Sequence, residues 1–387
     1  MGTGKFRTKT SFEPSNNGFL PNKFVSAIDI GYGGVKVFSN NWNILFPFYA
    51  KKSDSGEIEF IGETPDSTIF YKDLDTGEIW IIGEFAQNMI STRDTSDSES
   101  ILYGRDRFSS PMFKVITRAA IALSLRKNEF KGYTGQDIYI ETGLPEKYMN
   151  DSEELKSVLC GKYNKFALKV GKNDWEEFDF SIDKDKIDVM PQPKGSLFSV
   201  CIDRKGQWTK EARTYLKSSI LVFDPGFGTL DLFPIISGAV RTGETYPDLG
   251  MKRIMQETSK LIKETYDIDV TVPAMQKFLE TGMVRYGRGF ESKDYPFGEL
   301  LEKANKKVCD EALNRINNAY DLSSFDYIII TGGTGAAWLD MIKEKFKGLT
   351  TITILYGNQN DSLPMYFSNV RGYYLYRFNI LGREAKQ

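Results

Sequence analysis

The sequence predicts an α/β protein of two related lobes. Two observations carry that expectation. Near the start of the chain an apolar strand ending in Asp runs into a glycine turn and a second strand, and the same arrangement returns roughly half a chain later. The 387 residues are also enough for two domains with a full core each.

The first unit is Ser26-Ala-Ile-Asp-Ile-Gly-Tyr-Gly-Gly-Val-Lys-Val-Phe38. The β-branched run from Phe24 to Ile30 leads into Gly31-Tyr-Gly-Gly34, and a second run begins at Val35, the pattern of a hairpin rather than of a strand feeding a helix. Glycines let backbone N–H groups approach an anion, and successive N–H groups in a turn form a nest for phosphate. Gly31, Tyr32, Gly33 and Gly34 are therefore candidate phosphate binders, Lys36 can neutralise phosphate charge, and Asp29 can hold a hydrated divalent cation. A plain turn could carry the same residues. The unit gains its meaning from repetition in Ser219-Ile-Leu-Val-Phe-Asp-Pro-Gly-Phe-Gly-Thr-Leu-Asp-Leu-Phe-Pro-Ile-Ile236, where Asp224 ends the strand and Gly226, Phe227, Gly228 and Thr229 make the turn. A third glycine turn, Tyr327-Ile-Ile-Ile-Thr-Gly-Gly-Thr-Gly-Ala-Ala-Trp338, follows a buried-type strand and opens a helix expected near Ala336.

These three segments resemble the two phosphate motifs and the adenosine motif of the actin-like ATPase superfamily, which spans actins, sugar kinases and the large heat-shock chaperones. Motif order and spacing agree from about Phe24 to the C-terminus. Two stretches narrow the resemblance to the plasmid-segregation actins, the ParM-like group. Asp137-Ile-Tyr-Ile-Glu-Thr-Gly-Leu-Pro145 is similar to that group's TGLP strand end, though it also serves as a plain strand terminator, and Phe367-Ser-Asn-Val-Arg-Gly-Tyr373 is similar to its terminal helix.

The resemblance implies an actin-like fold: two lobes, each a mixed β-sheet flanked by helices, with nucleotide in the cleft between. Lobe I would comprise residues 23–192 plus 365–387 and lobe II residues 193–364, with crossings near Gln192 and Pro364. It implies ATP as the ligand, with GTP left open, and Mg²⁺ held mostly through water by Asp29 and Asp224. Gly332, Gly333 and Thr334 would let the backbone pass flat against a purine. Met190-Pro-Gln192 lies where superfamily members cross between lobes and place a Gln or Glu that orients the attacking water. Gln192 takes that role in the resemblance, beside Asp224 as the second acidic residue; otherwise it is a polar loop residue between two prolines. Pro225 stands where the family more usually has Leu or Ser and Phe227 where it has a small residue, departures that leave Thr229 to supply a hydroxyl. Asp231 resembles the family's TLD aspartate and is expected to hold the hairpin. Glu244 and Lys252 stand where relatives border the ribose and adenine.

Composition removes several alternatives. Hydrophobic content of 41% and charged content of 26% are those of an ordinary globular protein. A net charge of −2 gives no global pull toward nucleic acid or anionic membrane, so any link to DNA would run through a partner. With 0 histidines, His-based acid/base catalysis, Ser-His-Asp triads and His metal sites are excluded. Cys160, Cys201 and Cys309 are widely spaced and odd in number, as free thiols in a reducing cytoplasm would be. The absence of a long apolar run or signal peptide agrees with a cytoplasmic protein without membrane contact.

Taken in order, residues 1–22 are polar and aperiodic and are expected to be a disordered arm. After the first hairpin, Ile44 to Tyr49 resumes as a strand that Pro47 would place at a sheet edge. Glu57 to Ile61, Ser67 to Tyr71 and Glu78 to Ile82 read as a meander, and Ser91 to Ser100 as a loop. Pro111 to Arg126 carries a helical apolar stripe, Glu153 to Cys160 a short helix, and Lys162 to Phe180 a further hairpin. Lys210 to Lys217 is expected to be a helix, and Arg241 to Glu244 then Pro247 to Met251 a loop launching a helix over Lys252 to Tyr266. Pro296 to Asn317 contains a long charged helix.

The function implied by the resemblance is an ATPase that polymerises with copies of itself into dynamic filaments. In that family a DNA-binding adaptor protein at a centromere-like site links the filament to plasmid DNA, so segregation needs no direct nucleic-acid contact. The alternative is a small-molecule kinase of the sugar or acetate type, which would need an acceptor-side carboxylate beyond Asp29 and Asp224. A chaperone ATPase would need a substrate module after the motifs, and a P-loop enzyme would need Gly-x-x-x-x-Gly-Lys-Ser/Thr, which the chain lacks.

Overall fold

A computed structural model describes residues 2–53, 63–90, 104–161 and 164–384. The expected strand over Glu57 to Ile61 and loop over Ser91 to Ser100 lie outside these. The main sheet of the first lobe takes β1 (Ser11–Pro14), β2 (Lys23–Ile30), β3 (Val35–Ser39), β4 (Trp42–Phe46), β8 (Asp137–Leu144) and β11 (Ile187–Pro191) in the order β1-β4-β3-β2-β8-β11. A second sheet uses β5 (Ala50–Lys52), β6 (Ile69–Asp73), β7 (Ile79–Ile82), β9 (Asn164–Val170) and β10 (Glu176–Phe180) in the order β10-β9-β6-β7-β5. The other lobe holds β12 (Ile220–Pro225), β13 (Leu230–Ile236), β14 (Ala239–Val240), β15 (Glu244–Tyr246), β18 (Tyr327–Ile330) and β19 (Thr353–Tyr356), while β16 (Met283–Tyr286) and β17 (Lys293–Pro296) form a separate ribbon.

The two main sheets are built alike. β2 pairs antiparallel with β3 and parallel with β8; β12 pairs antiparallel with β13 and parallel with β18. Both glycine units are therefore hairpins, and each starts a mixed sheet of the kind expected.

Strand alternation decides which way the two aspartates look. In β2, Phe24, Ile28 and Ile30 pack into a core with Phe113, Ile116 and Ala120 of α2 (Pro111–Leu125), while Val25 and Ala27 face a second core. That second core is built on α4 (Gln192–Cys201) and α10 (Ser368–Glu384), through Leu197, Val200, Val370 and Tyr374, and it also receives Ile220 and Val222 of β12. With a period of two, Asp29 follows Val25 and Ala27, and Asp224 follows Ile220 and Val222. Both carboxylates thus emerge on the face that carries α4 and α10. These two helices cross so closely that a Cβ on Gly372 would lie 1.7 Å from the carbonyl oxygen of Gly195.

Several expectations are corrected here. Residues 2–22 are not a disordered arm: Thr3–Phe6 forms a 3-10 turn, Phe6 is buried, and β1 pairs with β4 from Ser11↔Leu45 to Pro14↔Trp42. The same pairing means β4 is covered rather than a sheet edge, and Pro47 lies just beyond it. The helix expected over Lys210 to Lys217 shrinks to the single turn α5 (Ala212–Tyr215). The expected loop after Arg241 contains β15, which pairs with β13. The remaining helices, α1 (Glu84–Asn88), α3 (Ser152–Cys160), α6 (Met251–Tyr266), α7 (Val272–Phe278), α8 (Gly298–Ala319) and α9 (Gly333–Phe346), include the short, launched and long charged helices expected; α9 starts at the glycine turn rather than near Ala336.

Candidate nucleotide site

A cleft of about 430 Å³ opens between the lobes, within the range of ligand pockets. Its walls bring together Asp29, Gly31, Tyr32, Gly33, Gly34 and Lys36 from the first hairpin, Asp224, Gly226, Phe227, Gly228, Thr229 and Asp231 from the second, Gly332, Gly333 and Thr334 from the third turn, and Gln192.

The hairpin tips interlock. A Cβ on Gly33 would lie 2.6 Å from the Phe227 ring, and one on Gly228 would lie 2.4 Å from the Tyr32 ring. Each tip thus lays its aromatic residue on a glycine of the other, which only a residue without a side chain permits. The bulky Phe227, at odds with the family pattern, finds its reason in this contact. Thr334 Oγ1 donates to Gly226 O at 2.6 Å and ties the third turn to the second hairpin. Gly226 N–H closes its own turn on Thr229 O at 2.8 Å.

Each aspartate is held by an amide at the start of one of the crossing helices. Gln192 Nε2, at the first position of α4, donates to Asp29 Oδ1 at 2.9 Å, while Lys36 Nζ lies 3.0 Å from Oδ2. Asn369 Nδ2, in the first turn of α10, donates to Asp224 Oδ2 at 2.6 Å. Ser196 of α4 donates to Asn369 Oδ1 at 2.6 Å, joining the two helices beneath the cleft. Gln192 is therefore a helix-start residue, not a loop residue. Burial pushes the Asp224 carboxyl up to about 6, with the charge of Asp29 acting in the same direction. Asp231 accepts from Thr229 Oγ1 at 2.8 Å and from Thr245 Oγ1 at 2.6 Å. Its carboxyl, raised to about 7 by burial, anchors β15 to the hairpin.

Two residues expected beside the nucleotide are not among those lining the cleft. Glu244 is exposed on β15 and accepts from the Tyr246 hydroxyl, outside the cleft walls. For Lys252 the contact is through the backbone, its N–H donating to Phe227 O at 2.8 Å, and it is Met251 that lines the cleft.

Three contributors were missed. Asn369 sat inside a stretch whose interest was its family likeness, and nothing local marks it as a partner of Asp224. Arg107 lines the cleft from a 3-10 turn before α2; its Nη2 donates to Ile30 O at 3.0 Å and its guanidinium lies 4.2 Å from the centre of the Tyr32 ring. It is 6% exposed, and its Nη1 has no hydrogen-bond partner. The third is the N-terminal segment, of which Gly4 to Lys9 line the cleft.

The donor set suits a hard cation bound largely through water and phosphate. Asp29 and Asp224 offer carboxylate oxygens to one cleft, and among the described residues no group of three or more His, Cys, Asp or Glu forms a protein-only cage.

The model for the N-terminal domain of actin-like proteins matches residues 27–195. In three dimensions the chain is similar to a non-polymerisable quadruple mutant of pCBH ParM, with a TM-score of 0.67, 22% identity, and coverage of 94% of this chain and 99% of that one. A 15-stranded ParM filament from Clostridium botulinum gives a TM-score of 0.68 at 21% identity, covering 92% and 99%. The archaeal actin homolog Ta0583 in complex with ADP gives 0.58 at 16% identity, covering 90% and 97%. No curated protein matches the chain in sequence.

Proposed function

We propose that the chain, whose residues 27–195 match the N-terminal domain of actin-like proteins and whose fold is that of the ParM structures, binds and hydrolyses ATP in this cleft and assembles into filaments that segregate plasmid DNA. The observation that carries the reading is the pair of Asp-ended hairpins meeting tip to tip on one cleft, each aspartate held by an amide from a helix of the core that both hairpin strands share. Such a pair can take hold of a phosphate chain from both sides. The ADP complex of the archaeal homolog and the filament form of the Clostridium botulinum relative support nucleotide binding and self-association.

In this reading the backbone of Gly31 to Gly34 and of Phe227 to Thr229 cradles the phosphates, and Lys36 exchanges part of its pairing with Asp29 for phosphate oxygen. Asp29 and Asp224 would hold a magnesium ion through water, and the ion would supply charge neutralisation. Gln192 positions the attacking water; an amide is a poor base, but phosphoryl transfer to water through a loose transition state needs chiefly positioning. Arg107, buried beside Tyr32 in the cleft wall, brings its positive charge near the terminal phosphate. Gly332 to Thr334 face the adenosine, and GTP is the alternative nucleotide. Coupling to DNA is assigned to an adaptor protein bound at a centromere-like site.

Phosphate release and nucleotide binding, measured side by side, test this. Gln192→Ala is expected to slow phosphate release by about ten-fold or more while ATP affinity stays within about three-fold. Arg107→Gln is expected to weaken ATP by about ten-fold and ADP by less than about two-fold, since only ATP carries the terminal phosphate nearest that charge. Unchanged phosphate release in Gln192→Ala, or equal loss of ATP and ADP in Arg107→Gln, would remove those assignments.

A further inference from the structure

The N-terminal segment runs across the cleft and is fastened on both sides. On the first lobe, β1 pairs with β4, Thr10 N–H donates to Glu84 Oε2 at 3.0 Å, and Arg7 lies 3.0 Å from Glu84 Oε1 and donates to Asn88 Oδ1 at 2.9 Å. On the other lobe, Thr3 Oγ1 donates to Leu279 O at 2.5 Å, just past α7, and Lys5 pairs with Glu302 of α8 at 3.1 Å. Glu280 receives both Lys9, at 2.9 Å, and Arg7, at 3.5 Å. Between these fastenings Phe6 is buried, and Thr8 packs on the first hairpin, its Cγ2 lying 2.9 Å from where a Cβ on Gly34 would stand.

We propose that residues 3–9 are a releasable strap forming one wall of the nucleotide cleft, and that its release from α7 and α8 governs nucleotide exchange. The inference rests on the cleft being the nucleotide site. Its physical basis is a mismatch between the two fastenings. The first-lobe side is a strand ladder, formed cooperatively along four paired residues. On the other side buried Thr3 gives one bond to the Leu279 carbonyl, and the ion pairs end on Glu280 and Glu302, 47% and 37% exposed at the side chain, where such pairs are individually weak. When the lobes part, the strap is therefore expected to leave α7 and α8 and stay with β4. A direct contact between the lobes, from Gln87 Nε2 to Gln276 Oε1 at 2.8 Å, lies beside the strap, so the strap's share has to be measured by changing the strap alone.

The test uses the full chain loaded with a fluorescent N-methylanthraniloyl ATP and chased with unlabelled ATP. A Cβ on Gly298 lies 3.6 Å from Thr3 Cγ2, so Thr3→Cys with Gly298→Cys places two thiols within disulfide reach. The oxidised form is expected to release the label at least about ten-fold more slowly, with the wild-type rate restored by dithiothreitol, which shows that the variant is folded. Glu280→Lys, which opposes both Arg7 and Lys9, is expected to release it about three- to ten-fold faster. Rates within about two-fold of wild type in both variants, with wild type holding the label, would overturn the strap alone. A wild-type chain that does not hold the label would overturn the nucleotide reading and the strap with it.

Discussion

Asp29 and Asp224 are buried acids whose partners come from distant parts of the chain, Gln192 and Asn369. A third buried acid, Glu141 on β8, is 1% exposed and its Oε2 has no hydrogen-bond partner. Burial lifts its carboxyl from 4.5 to about 8, aided by Asp188 and opposed by Arg377, Lys194 and Lys156. Folding therefore takes up a proton at Glu141. Its contribution to stability is fully present below 4.5 and is lost as pH rises through about 8. Glu141→Gln is expected to be more stable than wild type at high pH, by on the order of 1–2 kcal/mol, and equal to it in mild acid. Thermal unfolding at the two pH values checks this; an equal shift at both would point to packing rather than charge. At this scale the sequence revealed the acids and glycines, because strand ends and turns are local. Asn369 and Arg107 were hidden because only a tertiary crossing and a single 3-10 turn bring them to the cleft.

Among elements, the crossing of α4 and α10 sets the tightest constraint. A methyl group on Gly372 would sit 1.7 Å from Gly195 O, so Gly372→Ala must push apart the helices that present Gln192 and Asn369. We expect it to cost about 3 kcal/mol in denaturant unfolding, in the upper range of overpacking, and to weaken nucleotide binding as well. Wild-type stability in that variant would mean the helices can separate freely. Elements with strong periodicity were legible: both hairpins, α2, α6 and the long α8. The N-terminal strand was not. Ser11-Phe-Glu-Pro14 is too short to show alternation, and it becomes a strand only because β4 offers a free edge. For the same reason the edge inferred from Pro47 disappeared. Glu244 was placed near the nucleotide by position in the chain, but pairing with Leu232 of β13 fixes it outside the cleft walls.

For the molecule as a whole, the repeat of Asp, glycine turn and strand foretold two similarly built sheets, and the third turn placed a helix start beside them. The cross-lobe fastening by Thr3 to Lys9 had no counterpart in that reasoning, since an aperiodic polar stretch gives no sign of what it will pack against. The claim that joins these parts is that nucleotide in the cleft drives assembly of the chain with itself. Light scattering with sedimentation, after ATP and Mg²⁺ are added, tests it most directly. A rise in scattering and pelleted protein that decays as ATP is consumed is expected, with polymer that persists in Gln192→Ala. ATP turnover with no scattering or pellet, across a wide range of protein concentration, would contradict it and point to transfer of phosphate to a small molecule instead.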